Sequence, residues 1–133
     1  MLQVALLATA LLFGGMFLYA FGFAAFIFSA LPAASAGALI RRAFPWFYLF
    51  VLSTSGFAAA VAAAADPVSS AILVAIAMTT IFARQGLMPA INRATDCGAK
   101  RRFQVLHTTS VFIIIAHIVG AGFVVLRLAG TLN

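Results

Sequence analysis

Apolar residues run through four long stretches of this 133-residue chain, and polar residues gather at the breaks between them. Residues 2–31 carry no charge. Residues 35–65 are charged only at Arg41 and Arg42, residues 67–88 only at Arg84, and residues 103–128 only at Arg127. A helix crossing a bilayer needs about 20 largely apolar residues, so each stretch predicts a transmembrane helix. Together they predict an all-α, integral membrane four-helix bundle, with residues 1–133 forming a single transmembrane domain. At 1.5 Å per residue the first stretch reaches about 45 Å, longer than a hydrocarbon core of about 30 Å, so it must tilt, curve or protrude. Met1-Leu2-Gln3 lacks the basic start of a secretory leader, and the apolar run exceeds the roughly 7 to 15 residues of one. It is expected to be retained as a span.

The breaks have local causes. Leu31-Pro32-Ala33-Ala34-Ser35 interrupts the first helix, with Ser35 expected as the N-cap of the second. Phe44-Pro45-Trp46-Phe47-Tyr48 places aromatic rings where the second helix enters the bilayer. Asp66-Pro67 suits an N-cap followed by proline at the first helical position. Pro89 to Gly98 is expected to extend the third helix as a polar segment that ends at the glycine.

The composition agrees with a lipid environment, at 65% hydrophobic residues and a mean hydropathy of +1.19. The net charge of +6 suggests nucleic acid in a soluble protein, but here the cations flank apolar spans, so no nucleic-acid partner is expected. Arg41, Arg42, Arg84, Arg93, Lys100, Arg101 and Arg102 belong to the first and third connections, whereas Arg127 stands alone at the other side. By the positive-inside rule both basic connections are expected to face the cytoplasm and both termini to lie outside, in a multi-pass membrane protein. Arg41, Arg42, Arg93, Lys100, Arg101 and Arg102 are candidate ligands for lipid headgroups, especially anionic phospholipid.

Candidate chemistry is narrow, because the chain has no Glu and two Asp. No Ser-His-Asp set, paired carboxylates, zinc-protease spacing or phosphate-binding glycine loop can be assembled, which points to a protein that is not an enzyme. The hydrogen-bonding side chains Arg84, Gln85, Asn92, Asp96, His107, Ser110 and His117 form a candidate polar pocket. Arg84 is its most telling member, since a cation beside apolar Leu87 and Met88 must snorkel or find a partner such as Asp96 or lipid phosphate. The simpler reading is an interhelical polar clamp with phosphate anchoring. His107 and His117 raise a haem ligand, but ten residues along one helix separate them by about 15 Å, so they cannot hold one iron without another helix or a second copy. Met16, Met78, Met88 and Cys97 are soft ligands for copper without a short-spaced cluster, and methionine in a bundle is ordinarily packing. No resident metal or cofactor is therefore expected. Cys97, the single cysteine, lies among Arg93, Lys100 and Arg101 and is either a reactive thiol or an incidental loop thiol.

Gly14, Gly15 and Gly22, the series Gly56-Ala60-Ala64, and Ala116-Gly120 allow backbones to approach closely, within the bundle or in an oligomer. Gly14-Gly15-Met16-Phe17, Phe28-Ser29-Ala30-Leu31-Pro32, Ala36-Gly37, Phe44-Pro45-Trp46-Phe47-Tyr48, Leu87-Met88-Pro89-Ala90-Ile91-Asn92 and Leu106-His107-x-x-Ser110 follow in order along nearly the whole chain. In this series the chain resembles bacterial members of the transmembrane-protein-205-like family. The resemblance implies a four-span inner-membrane bundle. It also makes transport a legitimate expectation, because the family's eukaryotic namesake is associated with platinum-drug resistance and proposed export.

Abundant apolar faces and scarce coupling groups lead to a first expectation of an interaction, assembly or accessory subunit, in a homo- or hetero-oligomer with membrane proteins. The alternative is a small-solute or soft-metal exporter with a path along Thr79, Thr80, Arg84, Ser110 and His117. A second alternative is haem binding.

Overall fold

The computed structural model describes residues 1–132, and these form four long helices: α1 (Leu2–Ala30), α2 (Ala33–Ala62), α3 (Pro67–Asp96) and α4 (Lys100–Thr131). All four are long and apolar enough to cross a membrane. Each packs on its neighbours in chain order and α1 packs on α4, closing the ring. The short connections make successive helices antiparallel. One end of the bundle therefore carries the α1–α2 and α3–α4 connections, with most of the cations, and the other carries the α2–α3 connection and the end of α4.

Each buried face follows the helical period. On α1 it is Ala5, Thr9, Leu12 and Met16, and on α3 it is Ser69, Leu73, Ile76, Thr80 and Ala83. The opposite faces are apolar as well, with Leu7, Leu11, Val74, Met78, Phe112 and Leu126 turned outward, as suits a helix whose solvent is lipid. Packing in lipid gains no hydrophobic drive between helices and depends on close fit, which small residues permit. At Gly15 an added Cβ would lie 2.6 Å from the Phe50 ring, so α1 and α2 approach there because the side chain is missing. Tyr19 lies flat on Phe47 nearby, with ring centroids 4.1 Å apart.

Two helices contain a wider π-helical turn, Leu18–Phe23 in α1 and Ala83–Leu87 in α3. The second has an evident cause. Pro89 has no N–H to donate and its ring would press on the Gln85 carbonyl four residues earlier, and widening the turn makes room. Pro45 lies inside α2, which continues through it.

One helix start departs from the sequence expectation. The second helix begins at Ala33 with Pro32 as its N-cap, so Ser35 is an interior residue and does not cap it. The reason is that the fixed φ of Pro32 already sets the chain for the first helical turn. The third helix runs beyond Met88 to Asp96 without a break, taking in the polar segment after Pro89, and the fourth starts at Lys100, ahead of the apolar stretch 103–128. Asp66 caps α3 by accepting from the Ser69 N–H, with Pro67 following. Gly98, at φ +67°, turns the chain after α3, a conformation available to glycine without steric cost.

Candidate functional site

The candidate pocket residues do not gather at one place. Asp96 pairs with Arg41 across α2 and α3, with Nη1 to Oδ1 at 2.8 Å and Nη2 to Oδ2 at 2.9 Å. This two-pronged pair is exposed and occupies both carboxylate oxygens. Of the partners open to Arg84, Asp96 is thus taken by Arg41, which the sequence also offers as a ligand for lipid headgroups. The cause is topological, because the start of α2 and the end of α3 share one end of the bundle, while Arg84 lies twelve residues back along α3, about 18 Å away along its axis. Among the described residues no side chain hydrogen bonds to Arg84, which is half-buried on the π-helical turn of α3.

Gln85 is exposed and Asn92 half-buried, about two turns apart on α3. His107 is exposed and lies flat against Phe103, with centroids 5.4 Å apart. Ser110 is buried, and its hydroxyl donates to the His107 carbonyl at 2.8 Å.

His117 is buried, and its Nε2 lies 2.6 Å from Thr79 Oγ1 on α3. The Thr79 hydroxyl is also 2.7 Å from the Ala75 carbonyl. With the hydroxyl hydrogen on Ala75, the Thr79 oxygen accepts from the His117 Nε2–H. Thr80 is fully buried and bonds within its own helix, to Ile76. Of the five residues of the transport path, Thr79 and His117 meet.

At the opposite end is a pair that the sequence reading did not foresee. Arg127 Nε donates to Asp66 Oδ2 at 2.8 Å, joining the end of α4 to the start of α3. The same carboxylate accepts from the Ser69 hydroxyl at 2.8 Å and from the Ser69 N–H at 3.3 Å. The Asp66 side chain is 4% exposed and that of Arg127 is 40% exposed. The Arg127 bond, reinforced by Ser69 and opposed by burial, holds the Asp66 carboxyl down at about 2. The clue was available, since antiparallel helices place residue 66 and the end of the fourth span at one end. Tyr19 was also missed, and its buried hydroxyl has no partner among the described residues.

His107 and His117 are at different depths of one helix, and no group of three or more His, Cys, Asp or Glu among the described residues could hold a metal ion. Cys97 is exposed. Arg42, Arg93, Lys100, Arg101 and Arg102 are exposed at the connection end. The arrangement is therefore a set of interhelical bonds at three depths.

No curated protein and no solved structure matches the chain. A family profile, described as a domain of unknown function (DUF4149), matches residues 7–100. That match covers α2, α3 and most of α1, so this small four-span membrane protein belongs to the DUF4149 family.

Proposed function

We propose that the chain is a non-enzymatic accessory or assembly subunit of the bacterial inner membrane, with both basic connections in the cytoplasm, packing against membrane proteins or a second copy. The observation that carries this reading is that both side-chain carboxylates are engaged in joining helices, Asp66 to Arg127 and Asp96 to Arg41. Proton relay across a membrane needs ionisable groups free to change partner, and here they hold the bundle together. The outward faces offer apolar surface with small residues, such as Gly14 and Gly56, where an added Cβ would meet nothing within 4 Å. Such positions suit close helix approach. Purification in mild detergent followed by mass measurement tests the reading. A stable particle containing more than one 13.9 kDa chain, or a second protein, is the expected result. A strictly monomeric protein across detergents and concentrations overturns it.

A second reading, export of a small solute or soft metal, draws on the resemblance to the transmembrane-protein-205-like family and on the meeting of Thr79 with His117. Reconstituted flux is its test. If the wild-type protein moves candidate solutes no faster than empty liposomes, and His117→Ala changes nothing, export has no support.

A further inference from the structure

The first two turns of α4 bound an open groove of about 630 Å³ lined by Ala99, Lys100, Arg101, Arg102, Val105 and Leu106. Three cations stand at one end of this groove and two apolar side chains at the other. No side-chain carboxylate is left to neutralise the cations, because Asp96 has both oxygens on Arg41 and Asp66 is at the far end of the bundle.

Below the groove the outward face of α4 continues as an apolar stripe. Val105, Phe112, Val119 and Leu126 are 60%, 67%, 65% and 75% exposed, and their seven-residue spacing keeps them on one side of the helix. The stripe starts within the groove and runs for about 30 Å, the thickness of the hydrocarbon core. A cationic collar that opens onto an apolar track complements one kind of molecule, with an anionic head and a long hydrocarbon tail. A free phosphate would use the collar and leave the track empty.

We propose that this groove is a specific site for an anionic glycerophospholipid, with its phosphate on Lys100, Arg101 and Arg102 and an acyl chain along Val105 and the stripe beneath. Cations near a membrane surface attract anionic lipid generally. The proposal differs in assigning a retained lipid to these three and not to Arg42 and Arg93, which are equally cationic and lie outside the groove.

The full chain is reconstituted into phosphatidylcholine vesicles containing phosphatidylglycerol, re-extracted in mild detergent, and its retained lipids are counted and identified by native mass spectrometry. Phosphatidylglycerol is expected to stay bound through washing, with affinity falling on the order of a hundredfold in Lys100→Gln/Arg101→Gln/Arg102→Gln. Arg42→Gln/Arg93→Gln is expected to retain lipid like the wild type. Val105→Trp, which keeps every charge and fills the track, is expected to weaken retention too, and it serves as the second variant should the triple variant fail to fold. Equal losses in the triple and double variants, or unchanged retention in Val105→Trp, overturn the proposal in favour of diffuse attraction. Displacement of the lipid by millimolar inorganic phosphate overturns it in favour of a simple anion site.

Discussion

Asp66 shows how much one carboxylate can hold. It caps α3 through the Ser69 N–H, bonds the Ser69 hydroxyl and receives Arg127 from α4. Its carboxyl titrates at about 2 when folded and near the ordinary aspartate value of about 3.9 when unfolded. The unfolded chain therefore takes up the proton first as pH falls. The stabilisation is complete above about pH 4 and is lost as pH falls through about 2. Melting in detergent between pH 7 and pH 2 checks this, with Asp96 controlled by comparison to Asp66→Asn. The difference in melting temperature between wild type and Asp66→Asn is expected to be constant at neutral pH and to shrink only below about pH 4. In Arg127→Gln the folded value moves back toward the unfolded one, because the largest cause of the lowering is gone, so the acid loss should still begin near pH 4 but be smaller and end at higher pH. Gly15 makes the opposite kind of contribution, through absence. Replacing it with leucine drives a side chain into the Phe50 ring and is expected to cost about 1–3 kcal/mol, whereas Gly14→Leu, facing open space, should leave the melting temperature nearly unchanged.

Among the elements, α3 is the one fastened at every depth. Asp66 meets α4 at one end, the Ser70 hydroxyl reaches the Ala59 carbonyl of α2 at 2.9 Å, Thr79 meets His117 in the middle, and Asp96 meets α2 at the other end. Hydrogen bonds between membrane helices contribute modestly, about 0.6 kcal/mol on average. Thr79→Val and His117→Phe should therefore each lower stability slightly, and their double-mutant cycle should return a coupling near that value; a coupling of zero would mean the two side chains do not bond in the membrane. The helices themselves were legible from the sequence, because unbroken apolar runs of span length leave little alternative in lipid, and Asp66-Pro67 and Gly98 marked their ends through cap and turn chemistry. Ser35 has a capping side chain but does not cap, because the backbone of Pro32 three residues earlier already starts the helix. The pairings were not legible. Asp96 is closer along the chain to Arg84 than to Arg41, and only the antiparallel arrangement reverses that preference in space. The partner of His117 is a hydroxyl, a residue type too common in spans to single out by pattern.

For the molecule as a whole, the packed core occupies the terminus-bearing part of the bundle, drawing on Ala5 to Met16, Phe47 to Ala62, Leu73 to Ala83 and Ile118 to Leu128. These segments span about 17 to 24 Å, within a hydrocarbon core of about 30 Å. The helices are about 45 Å long, so their basic ends extend into the headgroups and beyond. Trp46, the single tryptophan and 73% exposed, lies about 24 Å along α2 from Ala62, which places it at the edge of the hydrocarbon nearest the basic connections. Brominated lipids should quench its fluorescence more strongly when bromine is near the headgroup than at the acyl terminus, and the reverse order would mean that the bundle sits at another depth. The same outward surface decides whether the molecule works alone. Gly56 and Ala60 lie one turn apart on the exposed side of α2, and the open space around Gly56 means that Gly56→Leu meets no part of its own bundle. If assembly uses this close-approach face, Gly56→Leu/Ala60→Leu should leave helicity and melting of the monomer intact while shifting the detergent-solubilised particle to single-chain mass. An unchanged oligomer would move the interface to another face, and a loss of melting temperature would show that the face serves the fold.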